Sequence, residues 1–241
     1  MHLTIAIPAF NEEKLLPATL EAIHQSAIVF KANGWDWELV VCNNNSTDQT
    51  GQIAENAGAR VVFEAQNQIA RARNAAGHAA AGEWILFIDA DSQPSPELFS
   101  ATIKAMQQPD ILGGGAILSM GRIPLWAAFW VQFWNRVSRW MDWPAGSYFF
   151  CRAEAFRNLK GFSETLYASE ELEFAQRLKQ YGRIHRQRMH IINAHPLSTS
   201  ARKLSLYSPW DMVRLLLATI VTGGRALNDP KACNWWYDGR R

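Results

Sequence analysis

The stretch WILFIDAD, residues 84–91, is the clearest structural signal in this chain, because an unbroken apolar run ends abruptly at two closely spaced acids. Such a run is typical of a strand that is buried on both faces of a sheet. Similar runs precede it at residues 3–10, 37–42 and 60–63, and segments with helical spacing separate them, at residues 12–32, after the N-cap candidates 46–48, and at residues 67–81. This alternation predicts an α/β fold with an open, mostly parallel, twisted sheet that is flanked by helices on both faces.

Polar clusters follow three of these runs, as PAFNE (8–12), NNNSTD (43–48) and DADS (89–92). Open α/β sheets bind ligands beyond the carboxyl ends of their strands. We therefore expect the three clusters to meet at one edge of the sheet and to form a binding site there.

The second half of the chain is less regular. A glycine triplet (113–115) indicates a close backbone approach or a bend. The pattern predicts a strand at 147–151, a helix at 169–181, a strand at 183–192 and a last amphipathic helix at 209–222. No repeat or low-complexity linker interrupts it, so we expect one domain over residues 1–205 and a C-terminal amphipathic extension over 206–241.

Composition excludes several classes of protein. With 48% hydrophobic and 19% charged residues the chain is not disordered. Its three cysteines are too few and too dispersed for a disulfide framework or a clustered zinc site, so a reducing, cytoplasmic compartment is expected. The N-terminus lacks the pattern of a signal peptide, and no run of ~20 apolar residues predicts a spanning helix.

Charge is distributed unevenly along the chain. Residues 1–110 contain six Lys and Arg against thirteen Asp and Glu, whereas residues 111–241 contain eighteen against nine. An acidic half suits a bound cation, and a basic half suits phosphates, nucleic acid or an anionic membrane surface.

Asp89 and Asp91 are the first candidates for chemistry. Two carboxylates, two residues apart in a turn, can share a Mg²⁺ or Mn²⁺ ion and the nucleotide that it bridges. The alternative is an Asx-rich turn in which Asp91 caps the helix near Pro96.

With its motifs in this order the chain resembles family 2 of the inverting nucleotide-sugar glycosyltransferases, which have the GT-A fold. The resemblance runs from residue 3 to about residue 192. It rests on PAFNE, NNNSTD, ARN (72–74), DAD, the glycine–aromatic stretch 146–150, GFSE (161–164) and SEELEFAQRL (169–178). It implies a donor half at 1–110, an acceptor half at 111–205, and Mn²⁺ or Mg²⁺ as cofactor.

The resemblance also implies roles for single residues. Asp91 would ligate the metal, Asp89 would face the ribose and the metal, and Arg73 would approach the nucleotide. The base and ribose would be held by the first loop, that is by Pro8, Ala9, Asn11 and Glu12. Asn11 and Glu12 have an alternative as the N-cap and first-turn acid of a helix. Arg71 is expected to be an ordinary surface arginine.

The second loop departs from the family, which usually has two aspartates where this chain has Asn43 and Asn44. A carboxamide can accept the imide N–H of uracil and also donate to the adjacent carbonyl, so uracil still fits. The base nevertheless stays open, and a plain Asx turn is the alternative.

Glu170 and Glu171 occupy the family's Glu-Asp position, and by resemblance Glu171, where the family commonly has Asp, would be the base that deprotonates the acceptor hydroxyl. The alternative is a helix N-terminus with ordinary acidic residues. His195 would complete the metal site, against a purely structural role. Residues 198–203 supply hydroxyls and two cations that could cover the diphosphate.

Five of eleven tryptophans fall within residues 126–143, and Trp126, Trp130 and Trp134 share one helical face with Arg136 and Arg139 nearby. A core helix, a membrane-interface helix and a homodimer seam all fit this pattern. A membrane-interface helix would make the protein peripheral at the inner membrane face and would suit a lipid-linked acceptor.

These observations predict a metal-dependent, inverting glycosyltransferase that uses a nucleotide-sugar donor and an unidentified hydroxyl acceptor, such as a lipid-linked or cell-surface glycan precursor. Nucleic acid is not an expected partner. A nucleotidyltransferase is the first alternative, although PAFNE lacks the glycine-rich, lysine-containing loop of that class. The second alternative is a nucleotide-sugar-binding module without activity.

Overall fold

The computed structural model describes residues 1–121 and 123–202 of the chain. In these residues the strands are β1 (His2–Ala9), β2 (Asp36–Asn43), β3 (Arg60–Phe63), β4 (Trp84–Ile88), β5 (Ser92–Gln93), β6 (Ile111–Ser119), β7 (Tyr148–Arg152) and β8 (Arg188–Thr199). The helices are α1 (Leu16–Ser26), α2 (Ile28–Ala32), α3 (Thr50–Asn56), α4 (Ile69–Ala79), α5 (Pro96–Met106), α6 (Leu125–Met141), α7 (Ala153–Asn158) and α8 (Glu170–Ile184).

The strands form one sheet in the order β3-β2-β1-β4-β7-β6-β8-β5. The first four strands of this order are mutually parallel. The pairs β4–β7, β6–β7 and β5–β8 are antiparallel, while β6 and β8 are parallel. The predicted open, mostly parallel sheet is therefore confirmed for the first half, and the second half adds a mixed extension.

Two hydrophobic cores lie on opposite faces of the sheet. Along β1 the side chains alternate, so that Leu3, Ile5 and Ile7 belong to one core and Ala6 to the other. Helices α1, α2, α3 and α5 contribute to the first core, and α4, α7 and α8 to the second. Because β4 is covered on both faces, all five of its residues are buried, as its uninterrupted apolar run predicts.

The strands β1, β2, β3 and β4 lie within two residues of their predicted bounds, but the predicted strand at 183–192 is wrong in its first part. Helix α8 continues to Ile184, and the N–H of Gln187 then donates to the carbonyl of Gly182 at 2.7 Å. Arg186 adopts a left-handed backbone at φ 57° and turns the chain. Strand pairing starts only at Arg188 and continues to Thr199.

The predicted helix over 12–32 also differs, because it begins at Leu16 and is interrupted at Ala27. The glycine triplet lies inside β6, so the close backbone approach is confirmed and the bend is not. A Cβ on Gly113 would lie 2.6 Å from the carbonyl oxygen of Phe150, and one on Gly114 would overlap the carbonyl of His190.

Cys42 and Cys151 are buried free thiols, and burial raises the pKa of Cys42 to about 12. Cys233, the extension 206–241 and its predicted helix at 209–222 lie outside the described residues. None of the described helices is long and apolar enough to cross a bilayer.

Candidate active site

The loops after β1 and β2 are joined by hydrogen bonds at the carboxyl edge of the sheet. Asn11 has a left-handed backbone at φ 52°, and its side-chain oxygen accepts from the N–H of Thr47 at 2.8 Å. Its own N–H donates to the hydroxyl of Ser46 at 3.0 Å, and the N–H of Glu12 donates to Thr50 at 2.8 Å. These bonds correct the helix-capping alternative for Asn11 and Glu12, since α1 begins four residues later and has no acid in its first turn.

The loop after β4 belongs to the same edge. The hydroxyl of Thr19 in α1 donates to the carbonyl of Ala90 at 2.8 Å, so α1 joins the first loop to the Asp89–Asp91 turn. The predicted convergence of the three polar clusters at one edge is confirmed. Asp91 does not cap the next helix, because the side chain of Ser95 accepts from the N–H of Leu98 instead.

Arg73 is the electrostatic centre of the site. Its side chain is 3% exposed, donates to Asp89 Oδ1 at 3.0 Å and forms a second, very close ion pair with Glu170. Burial opposes the charge of the guanidinium, but Asp89, Glu170 and Glu171 raise the pKa of Arg73 above its ordinary value. Gly146 permits this arrangement, because a Cβ there would lie 2.7 Å from the Arg73 guanidinium.

Glu170 and Glu171 differ in environment although they are adjacent. Glu170 is buried at the start of α8, and burial together with the charge of Glu171 raises its pKa above the ordinary glutamate value, against the opposing effect of Arg73. Glu171 is only half-buried and lines a cavity. The first residue is thus placed to hold Arg73, and the second to meet a ligand.

That cavity has a volume of about 380 Å³ and brings together residues that are distant in sequence. Its polar part includes Arg73, Asp89, Asp91, Glu170 and Glu171. Its apolar part includes Leu118, Met120, Trp134 and Leu172. Carboxylates that can meet a cation and an apolar wall that can meet an acceptor therefore border the same space.

The segment 198–202 lies across the Asp89–Asp91 turn. Ser92 and Gln93 of β5 pair with Thr199 and Ser198, and the N–H of Ser200 donates to the carbonyl of Asp91 at 3.1 Å. Arg202 then reaches back 190 residues, and its two terminal nitrogens lie 3.0 and 2.8 Å from the two carboxylate oxygens of Glu12. The same guanidinium lies 3.8 Å from Asp91 Oδ2, so the segment brings a cation to the edge of the cavity.

The predicted metal ligands are not all brought together. Across residues 1–121 and 123–202, no three His, Cys, Asp or Glu side chains are close enough to hold a metal ion between them. His195 is half-buried in β8 and interacts electrostatically with Glu97. The pKa of Glu97 is lowered mainly by a hydrogen bond with Ser95 and also by the charge of His195. Asp89 and Asp91 still fit Mg²⁺ or Mn²⁺ by chemistry, because these ions commonly use one or two carboxylates and take their remaining ligands from substrate phosphates and water.

The two asparagines of the second loop both form hydrogen bonds with backbone groups. Asn44 is buried, donates to the carbonyls of Glu64 and Gln66 at 3.0 and 2.7 Å, and accepts from the N–H of Gln68 at 3.0 Å. Asn43 accepts from the N–H of Ser46, three residues on, at 3.0 Å, and the Asx turn of this loop is formed by Asp48, whose Oδ1 accepts from the N–H of Thr50 at 2.9 Å. The carboxamide of Asn44 is thus committed to loop geometry, which corrects its expected contact with the base.

Pro8 and Ala9, the remaining residues of the first loop, are the last two residues of β1, and both are buried. The carbonyl of Ala9 accepts a hydrogen bond from the N–H of Asn44 at 2.8 Å. They fix the end of the strand from which Asn11 and Glu12 project. Arg71 pairs with Glu164 at 2.6 Å and lies within 3.4 Å of Glu64, which confirms its expected surface role.

The structure adds residues that sequence reasoning missed. Asn74 donates to the carbonyl of Phe162 at 2.9 Å and accepts from its N–H at 2.8 Å. Gln68 donates to the carbonyls of Glu164 and Leu166 at 2.7 and 3.0 Å. These bonds hold the segment before α8 against α4, and the fixed order of ARN and GFSE is the sequence signal that could have indicated them.

The chain matches the model of the family described as "Glycosyl transferase family 2" over residues 4–162. It is 28% identical over 119 residues to the uncharacterized glycosyltransferase EpsJ of Bacillus subtilis, covering 46% of this chain and 33% of EpsJ. It is 32% identical over 101 residues to the dolichyl-phosphate beta-glucosyltransferase ALG5D of Trichomonas vaginalis, covering 38% of this chain and 30% of that protein. The chain thus spans about a third of the length of these curated relatives.

Solved structures share the fold. Staphylococcus aureus TarS 1-349 in complex with UDP-GlcNAc superposes with a TM-score of 0.62 at 19% identity, over 84% of this chain and 59% of the TarS 1-349 chain. Glucosyl-3-phosphoglycerate synthase from Mycobacterium tuberculosis, in complex with Mn²⁺, UDP and phosphoglyceric acid, superposes with a TM-score of 0.61 at 20% identity. That match covers 92% of this chain and 78% of the synthase.

Proposed function

Because the chain belongs to glycosyl transferase family 2, we propose that it transfers a sugar from a nucleotide-diphosphate sugar to an acceptor hydroxyl, with inversion at the anomeric carbon. The observation that carries this proposal is the single cavity bordered by Asp89 and Asp91 on one side and Glu171 on the other. A transferase needs a donor site and an acceptor base that meet at one reacting bond, and this cavity offers both.

On the donor side, Asp91 and Asp89 would hold Mn²⁺ or Mg²⁺. A metal ion bound there would supply positive charge beside the departing diphosphate. Arg73 donates a hydrogen bond to Asp89 and holds that side chain in place. Uridine nucleotides are the first donors to test, since TarS and the mycobacterial synthase both form complexes with UDP.

On the acceptor side, Glu171 takes the proton of the acceptor hydroxyl. The acceptor oxygen then forms its bond to the anomeric carbon as the bond from that carbon to the diphosphate oxygen breaks, and the nucleotide leaves with the electron pair. One displacement of this kind inverts the anomeric centre. Glu170 is a positioning residue, because its contact is with Arg73 and its side chain is buried.

The segment 198–202 would cover the diphosphate. Arg202 is held by Glu12 at the cavity edge and is already close to Asp91. An arginine can form two parallel hydrogen bonds with a phosphate group as it does with a carboxylate. We expect the diphosphate to compete with Glu12 for this guanidinium when the donor binds.

Nucleotide binding tests the donor site. In a thermal-shift panel of nucleoside diphosphates and sugar nucleotides, with and without Mn²⁺, a donor should raise the melting temperature according to its affinity. Asp91→Asn should abolish the Mn²⁺-dependent part of this binding in calorimetry while it leaves the melting temperature of the ligand-free protein nearly unchanged.

Asp110→Asn is the matched control, because Asp110 is an exposed aspartate whose ion pair with Arg188 lies outside the cavity. Unchanged metal-dependent affinity in Asp91→Asn would remove Asp91 from the metal site. A chain that binds donors but never releases nucleotide would be a binding module.

A further inference from the structure

Helix α6 presents a row of large apolar side chains to the outside of the molecule. Leu125 is 91% and Trp140 84% exposed, and between them along the helix Phe129, Trp130 and Phe133 are also exposed. Five of the nine large hydrophobic residues that are exposed within the described part of the chain therefore lie on this one helix. Their spacing of four, and of seven between Phe133 and Trp140, places Leu125, Phe129, Phe133 and Trp140 on one stripe.

The opposite side of α6 is fixed to the protein, so the apolar stripe faces outward by construction. Asn135 is buried, accepts from the N–H of Leu118 at 3.0 Å and donates to its carbonyl at 2.9 Å. Ser138 donates to the carbonyl of Trp143 at 2.6 Å. The core-helix interpretation is thus wrong for the outer face of α6, where Leu125, Phe129, Phe133 and Trp140 are exposed, while Asn135 and Ser138 face the protein.

The charged side chains of α6 itself are all basic, and Asp142, which follows the helix, lies 4.0 Å from Lys179. Residues 111–141 contain no Asp or Glu, and Arg136 and Arg139 of α6 are exposed. Apolar side chains with flanking arginines are the combination that binds the headgroup region of an anionic bilayer. A twofold contact between two copies through α6 would instead place arginines near arginines without an acid of this segment to pair with them.

The same helix borders the cavity. Trp134 of α6 lines it together with Leu118, Met120 and Glu171, so the helix that carries the outer stripe also borders the space that the base candidate faces. An acceptor whose apolar part stays in a bilayer could therefore bring its hydroxyl group to Glu171 along an apolar wall.

We propose that α6 lies in the surface of an anionic membrane and that the acceptor is an amphiphilic lipid whose polar head enters the cavity beside Trp134. The acceptor half of this inference rests on the proposed function, whereas the membrane contact does not. The two therefore fail separately: flotation on vesicles requires no donor, and donor binding requires no vesicles.

The test is flotation of the full chain with vesicles of phosphatidylcholine alone or with phosphatidylglycerol added, at low and high salt. The wild type should float with the anionic vesicles at low salt and lose most of its binding at high salt, because the arginine contribution is screened. Phe129→Ser/Phe133→Ser and Arg136→Gln/Arg139→Gln should each reduce the bound fraction by about tenfold or more.

Phe63→Ser is the matched control, since Phe63 is 63% exposed but lies in β3, at the far edge of the sheet. This variant should float like the wild type. Each α6 variant should keep the far-ultraviolet circular dichroism spectrum and the melting temperature of the wild type, which establishes that it folds. Failure of the wild type to float on anionic vesicles, equal flotation of the α6 variants, or a dimer that Phe129→Ser/Phe133→Ser dissociates would each overturn the proposal.

Discussion

At the scale of single residues, the candidate site depends on one buried cation. Arg73 forms ion pairs with two carboxylates, the buried Glu170 and the partly buried Asp89, and its positive charge offsets the cost of holding these two acids close together. Gly146 leaves the space that its guanidinium needs. The position of Asp89 at the cavity is thus held by a residue that would not itself have to touch the sugar.

Removing this cation should unfold the protein more easily. Arg73→Met leaves buried carboxylates without their partner, and breaking such a pair typically costs about 3–5 kcal/mol of unfolding free energy. Denaturant titration should show that loss, and Arg73→Met/Glu170→Gln should recover part of it because one stranded charge is gone.

Arg71→Met is the control for that experiment. Arg71 belongs to the same helix, but its side chain is 31% exposed, so its loss should cost no more than about 1 kcal/mol. Equal destabilisation by the two arginine variants would contradict the central place given to Arg73.

At the scale of elements, sequence reasoning succeeded where burial on both faces constrains the residues and was less accurate where a single turn decides. Strand β4 was predicted to the residue because only apolar side chains fit between two cores. The start of β8 was not predicted correctly. The alternation of polar and apolar residues begins at Arg183, but the chain there is still the end of α8 and then turns at the left-handed Arg186. Alternation shows which side chains are apolar and does not show where backbone pairing begins.

Contacts between distant loops were beyond sequence reasoning. That three polar clusters meet follows from strand order, and it was predicted. The carboxamide of Asn44 forms hydrogen bonds with three backbone groups, and these bonds depend on how the loop of residues 64–68 folds against it. The pair of Glu12 and Arg202 joins residues 190 positions apart, and neither residue type indicates its partner.

This pair gives the prediction that belongs to the closing segment. Arg202→Ala should weaken Mn²⁺-dependent UDP binding by about tenfold. Hydrogen bonds to charged groups contribute about 1.5–3 kcal/mol, and part of this gain is lost because Arg202 must first leave Glu12. Calorimetry measures this change directly. Lys179→Ala is the control, because Lys179 is a cation bound to the carbonyl of Met141 and outside the cavity. Unchanged UDP affinity in Arg202→Ala would show that the segment serves the fold alone.

At the scale of the whole molecule, charge and chemistry are divided in the same way along the chain. Residues 1–110 have a net negative charge and contain Asp89 and Asp91. The rest of the chain has a net positive charge and contains the aromatic helix α6 and Arg202. The cavity lies where the two halves meet, with Arg73 of the first half joined to Glu170 of the second. In the proposed reaction, a donor with its cation and an amphiphilic acceptor would approach the same bond from different sides.

The central claim is that Glu171 is the base of a sugar transfer in this cavity, and the release of UDP from a UDP-sugar tests it most directly. The substrate is the UDP-sugar that gives the largest thermal shift, and water serves as a slow acceptor. Glu171→Gln should lower turnover by ~10²-fold or more with nearly unchanged donor affinity, because only proton removal is lost. Glu173→Gln, two residues on and paired with Arg177, should turn over like the wild type. Wild-type turnover in Glu171→Gln would contradict the account.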